Sequence, residues 1–139
     1  MGIFGSFDIS ASGLTANRLW MDVIASNIAN AQTTRTPEGG PYRRREVVFS
    51  TRVAETSQPG LEGGQGVRVV GIVEDQSPPQ LVYDPDHPDA REDGYVEMPN
   101  VNAVTEMVDM LVASRAYEAN AAAMEAAKAM LGRALDILR

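Results

Sequence analysis

Few residues in this chain could do chemistry, and most of them lie in one acidic loop. Asp84, Asp86 and Asp89 stand at a spacing that invites a calcium site. An EF-hand loop needs acids at alternate positions, Gly at the sixth and Glu at the twelfth, between two helices. Here Pro85 and Pro88 interrupt the run and strand-like segments flank it, which argues against a cation site. The sole histidine, His87, sits in the same proline-rich stretch. There is no cysteine, and so no thiol nucleophile, thiolate metal site or disulfide. Gly63-Gly64-x-Gly66 does not join a strand to a helix with dinucleotide-binding spacing. No serine stands in a nucleophile elbow, and the carboxylate pairs fall in an acidic loop rather than a concave apolar pocket. The chain is therefore read as a non-enzyme, with no cofactor or metal.

The charge distribution carries more. The 139 residues have a net charge of −7. Eight acids and one base lie between Glu74 and Glu97, so the rest of the chain is neutral. Nucleic-acid binding needs a basic face and is not expected. No apolar run reaches the ~20 residues of a membrane helix, so no membrane insertion is expected. The N-terminal MGIFGSFDIS lacks the basic and apolar regions of a cleaved signal peptide. Arg43, Arg44 and Arg45 form the one basic run. It reads either as a solvated face or as the partner of Asp84, Asp86 and Asp89 in the acidic loop of an adjacent subunit.

These residues must be positioned by helices at the two ends of the chain. Met107, Met110, Ser114, Tyr117, Ala121, Met124, Lys128, Leu131, Leu135 and Leu138 alternate steps of three and four, as in a coiled coil. A shorter seam of this kind runs through Leu14, Asn17, Met21, Ile24, Ile28 and Ala31. Asp8, Ser10 and Ser12 offer N-cap oxygens for the first helix, and Asn100 or Asn102 for the last. Between them, Glu46–Thr51 and Val67–Val73 read as strands of a hairpin, the second with Val67, Val69 and Gly71 on one face. Residues 54–66 read as its polar, Gly-rich tip. Gln80–Tyr83 and Gly94–Met98 are shorter strand candidates flanking the acidic loop. The fold expected is α+β: long N- and C-terminal helices paired as a coiled-coil-like hairpin, with a small β-rich insert. The divisions expected are 1–34, 35–99 and 100–139.

Leu19, Trp20 and Val23 widen the apolar face of the first helix, and Val104, Val108, Leu111 and Val112 widen that of the last. A helix apolar on more than one side must bury more than one side. One intramolecular partner cannot do this, so packing against other subunits is expected. Asn27 and Asn30, near the end of the first helix, read either as a solvated, fraying end or as amides that fix register by bridging to the last helix or a neighbour. Lys128 and Ser114 interrupt the long seam, where a polar residue can set register, but Lys128 reads more readily as snorkelling from a slightly rotated helix. Separate helices of modest hydrophobicity are marginal until partners bury them, so the isolated chain is expected to fray at its ends.

Two segments carry a family resemblance. SNIANAQTTRTPEGGPYRRREVVF, residues 26–49, resembles the N-terminal signature of bacterial flagellar axial proteins, and its later half resembles a basal-body rod protein of that family. The C-terminal MPNVNAVTEMVDMLVASRAYEANAAAMEAAKAML is similar to the closing helix of the same proteins. The resemblance implies a structural subunit that polymerises in the proximal rod and transmits torque across the periplasm. The implied partners are other copies of itself, neighbouring rod proteins up to the MS-ring/rod junction, and the flagellar type III export apparatus, which moves such proteins without a cleaved signal. The implied assembly interface comprises Leu14, Met21, Ile24, Asn27, Ile28, Asn30, Met107, Met110, Tyr117, Met124, Leu131 and Leu135. Another axial rod or hook subunit, or a cytosolic coiled-coil adaptor, is the alternative reading.

Overall fold

The computed structural model of the chain describes residues 3–53 and 64–137. The expected hairpin tip at 54–66 lies mostly outside these. Six elements follow in order: α1 (Ile3–Ala29), β1 (Arg45–Val53), β2 (Gly64–Glu74), β3 (Gln80–Tyr83), β4 (Tyr95–Met98) and α2 (Ala103–Ile137). At ~1.5 Å per residue the helices are about 40 Å and 52 Å long. The α+β architecture expected from the sequence is the one observed.

The helices pair antiparallel. Asn27 on α1 bonds Glu106 on α2 (2.9 Å), and Gly13 lies directly under the Asn120 side chain. Both contacts are two heptads apart on each helix, so they belong to one unbroken register. A Cβ on Gly13 would stand 2.7 Å from Asn120 Oδ1, so glycine is what lets the helices approach here. The midpoint of this register sets Trp20 opposite Ala113, a large side chain against a small one. Ala113 is fully buried.

This internal seam is rotated by one residue from the expected one, on both helices. On α2 it runs through Glu106, Met110, Ala113, Tyr117, Asn120, Met124, Ala127 and Leu131. Met110, Tyr117, Met124 and Leu131 belong to both versions. Glu106, Ala113, Asn120 and Ala127 replace the expected Met107, Ser114, Ala121 and Lys128. Met107 is 58% exposed and Lys128 is exposed, in keeping with the rotated-helix reading of that lysine. On α1, Gly13, Trp20 and Asn27 stand where Leu14, Met21 and Ile28 were expected, and the latter three are half-buried beside the seam. A pattern scored on hydrophobicity passes over Gly, Asn and Glu, which are the residues this seam uses.

α1 also begins earlier than expected. Asp8, Ser10 and Ser12 lie inside the helix rather than capping it. The register carries the pairing out to Ala127, only 4% exposed, so the first turns of α1 have a partner although their sequence is not periodic. α1 ends at Ala29, and Asn30 holds the turn that follows, its Nδ2 donating to Ser26 O and its Oδ1 accepting from Thr33. The cap of α2 is Asn102, whose Oδ1 accepts from the N–H groups of Val104 and Thr105.

The insert holds two separate two-stranded antiparallel ribbons, β1–β2 and β3–β4. Val67, Val69 and Gly71 are half-buried on the face toward α1, while Arg68, Val70 and Ile72 are exposed. That is the expected alternation. Trp20 meets Phe49 edge-on (5.9 Å between centroids) and fastens β1 to α1. β3 and β4 pair Tyr83 with Tyr95 across the ribbon, their rings edge-to-face at 5.3 Å. The acidic loop between them is held by Asp89, which pairs with Arg35 (2.7 Å) and accepts from Thr34 (2.8 Å).

β2 is anchored to α1 at Ser12, whose hydroxyl donates to Ile9 O (2.7 Å) and accepts from Val67 N–H (3.1 Å). Gly66, just before, has φ +108°, and a Cβ there would lie 2.1 Å from Ser12 Oγ. Gly66→Ala therefore adds backbone strain and disrupts the anchor. The expected loss is about 2–4 kcal/mol in urea unfolding. Gly71→Ala, with open space around its Cβ, should change stability by less than about 0.5 kcal/mol.

Candidate assembly site

Two of the four largest fully buried side chains are polar, Glu106 and Asn27. They form a hub where α1, the segment leading into β1, and the first turn of α2 converge. Asn27 uses its whole hydrogen-bonding capacity. Its Nδ2 donates to Arg45 O (2.8 Å) and Glu106 Oε2 (2.9 Å), and its Oδ1 accepts from Arg45 N–H (3.0 Å) and the Tyr42 hydroxyl (3.0 Å). The amide thus holds both backbone groups of Arg45 as a neighbouring strand would. Asn100 treats Arg44 in a related way, its Oδ1 accepting from Arg44 N–H (2.8 Å) while Nδ2 donates to Asp75 O and Ser77 O. The carbonyl of Arg44 accepts from Asp75 N–H (2.8 Å).

Glu106 has no exposed surface, and a carboxylate so placed needs a cation and donors. Arg44 supplies the cation, with Nε 2.5 Å from Glu106 Oε1. The guanidinium is also paired with Glu46 and lies 3.5 Å from Asp109. Among the described residues no buried side-chain polar atom lacks a partner.

The residues singled out from the sequence divide between the inside and the outside of the chain. Ile24 and Asn27 are buried in the internal seam, and Leu14, Met21, Ile28, Met110, Tyr117, Met124 and Leu131 are half-buried along it. Asn27 bridges to the last helix, one of its two readings, whereas Asn30 acts locally at the helix end. Met107 and Leu135 are open, at 58% and 60% exposure. Arg44 and Arg45 are engaged within the chain, Arg45 with Glu74 (3.3 Å) and over the Tyr42 ring. Arg43 is exposed and donates to Gln76 (3.2 Å), and Asp84 and Asp86 are exposed. Glu106, Tyr42 and Asn100 were not anticipated as hub members. Glu106 reads as an ordinary first-turn acid, although its spacing to Met110, Ala113 and Tyr117 fits the heptad as well as that of Met107 does.

Outside the hub, α2 carries an uncovered apolar stripe. Val104, Val108, Leu111 and Val112 are 70%, 55%, 54% and 50% exposed. Exposed apolar patches of this kind are the surfaces through which proteins meet partners.

Residues 7–35 match the family described as flagella basal body rod protein, and residues 92–137 match the C-terminal region of the flagellar basal body rod FlgEFG proteins. The chain is 51% identical to the flagellar basal-body rod protein FlgC of Borreliella burgdorferi, over all of this chain and 99% of that one. It is 46% identical to FlgC of Bacillus subtilis, over 99% of each chain. The chain belongs to the FlgC family of flagellar basal-body rod proteins. FlgC of Escherichia coli is 43% identical over 99% of this chain and 98% of its own length. The two regions matched by family contain the two halves of the hub that lie on helices, Asn27 and Glu106. The third part, residues 42–45, lies between them and is spanned by the full-length FlgC matches.

Replacing Asn27 with Ala strands the backbone of Arg45 and the Tyr42 hydroxyl, at an expected cost of about 2–4 kcal/mol in chemical denaturation. Asn27→Asp keeps the shape but removes both donors and adds a charge beside Glu106, so it should be no more stable than the alanine variant. Asp75, at the rim of this region, is a milder case. The Ser77 hydroxyl (2.5 Å) and N–H (2.8 Å) donate to its Oδ1 and hold its carboxyl below the usual range. A depressed folded-state pKa contributes stability above the unfolded value and loses it as pH falls through the folded one. Ser77→Ala should move the Asp75 titration upward, read by carboxyl-resolved NMR.

Proposed function

We propose that this chain is a structural subunit of the flagellar basal-body rod, one whose helices are completed by those of neighbouring subunits. The exposed apolar stripe on α2 carries the reading, together with membership in the FlgC family. Fully covering a Val or Leu side chain is worth about 1.5–3 kcal/mol. Val104, Val108, Leu111 and Val112 are half open or more, so covering them yields about 3–6 kcal/mol per copy. That exceeds what exposed ion pairs supply, at about 0–1 kcal/mol each. Apolar packing provides the adhesion.

In this reading residues 1–34 and 100–139 form an inner axial layer and residues 35–99 an outer one. The subunit joins the proximal rod that crosses the periplasm, reached through the flagellar type III export apparatus. Its neighbours are other copies and adjoining rod proteins, including those at the MS-ring/rod junction. Met107 and Leu135 belong to the surface buried on assembly. Arg43, with Asp84 and Asp86, supplies screened contacts that steer docking rather than hold it. Torque is transmitted because long helices buried on several sides resist bending.

Val108→Glu with Leu111→Glu places two charges in this surface and leaves the internal seam intact. In cells whose sole copy carries both changes, motility and the recovery of the protein in purified basal bodies should fall to background. The purified variant should keep its circular dichroism spectrum. Normal motility, with basal bodies that lack the chain even when it is unsubstituted, would sink the assignment.

A further inference from the structure

Both helices leave a stripe open opposite the internal seam. On α1 it runs through Ala11, Thr15, Arg18, Asp22, Ala25 and Ala29, all exposed. On α2 it runs through Val108, Val112, Arg115, Ala119, Ala122 and Ala126, again all exposed. The steps alternate between four and three along both. Arg18, Asp22, Arg115 and the adjacent Glu118 have no ion-pair partner among the described residues.

The order of these charges selects one way of bringing the stripes together. Arg precedes the acid on each helix by about one turn. Parallel docking would set Arg115 on Arg18 and Glu118 on Asp22. Antiparallel docking sets Arg115 on Asp22 and Glu118 on Arg18, opposite charges on opposite. The same antiparallel register brings Val112 to Ala25 and Val108 to Ala29, bulky side chains onto small ones. It also brings Ala122 to Thr15 and Ala126 to Ala11, where both sides are small and the backbones can approach closely. Charge order, bulk and heptad phase agree on one alignment.

We infer that the outward stripe of α2 docks antiparallel on the outward stripe of α1 from a second copy of this chain. The two stripes point away from each other within one chain, so the contact cannot be intramolecular. It joins unlike surfaces, and each added copy presents a fresh α1 and a fresh α2. Such a heterologous contact propagates into a ring or helix instead of closing a dimer. This rests on the rod-subunit reading above and specifies which faces mate.

The chain has no cysteine, so an engineered disulfide reports the contact without background. Cells whose only copy carries Ala25→Cys and Val112→Cys should yield basal bodies that, once oxidised, give a ladder of dimers and larger species on a non-reducing gel. Neither single variant should give a ladder. A double variant that is recovered in basal bodies yet runs as monomer overturns the docking and leaves the rod assignment standing. Absence of the unsubstituted chain from basal bodies overturns both. Charge variants give an independent test at exposed positions. Asp22→Arg should lower incorporation roughly tenfold, and adding Arg115→Asp to the same chain should restore it. No loss in the first, or no recovery in the second, when both keep a native circular dichroism spectrum, also overturns the docking.

Discussion

Everything in this chain is arranged around a carboxylate with no access to water. Glu106 can stay buried only if Arg44 and Asn27 reach it, and these come from three separate stretches of sequence. Removing one partner of such a group typically costs about 3–5 kcal/mol, more than any single exposed contact supplies. Helix pairing and docking of the insert are therefore one event. With Glu106 inward and Arg44 absent, the helical pair would hold a buried carboxylate without its cation. Asn27 and Asn100 make the same demand of the backbone, since each satisfies groups of Arg44 or Arg45 at the end of the β1–β2 ribbon that β2 itself does not take up.

Much of this architecture was legible in the sequence, for reasons that also explain what was not. Strand faces in β2 follow from alternation alone, because a hairpin with one side on a helix must alternate. The two long helices follow from sustained three-four spacing. The exact seam did not, since hydrophobicity marks the helix but cannot say which flank of an apolar stripe faces inward. Here the choice was made by Gly13, which permits close approach, and by Asn27 and Glu106, whose partners lie 15 to 79 residues away in the chain. Nothing local in Glu106 announces Arg44. The early start of α1 was hidden for a related reason, because a weakly periodic segment was made helical by its packing against α2. Asn27 was readable as a register residue, while Asn30 three positions on proved local, and only geometry separates them.

The helical pair leaves several bulky aliphatics on its outside while small and polar residues sit in its inner seam. Beside Trp20, Ile24, Met110, Tyr117, Met124 and Leu131, the internal seam holds Gly13, Asn27, Ala113, Asn120 and Glu106, which contribute register and little buried apolar area. Val104, Val108, Leu111 and Val112 face outward, where they gain nothing until another helix arrives. Buried polar groups specify one alignment at some cost in stability, whereas aliphatic faces adhere strongly and specify weakly. A subunit that must first acquire one internal geometry and then be gripped by neighbours has reason to separate those two roles. The polar hub sets the shape that is presented. In the proposed assembly the outer stripe supplies most of the free energy, and the few charges along it select the orientation.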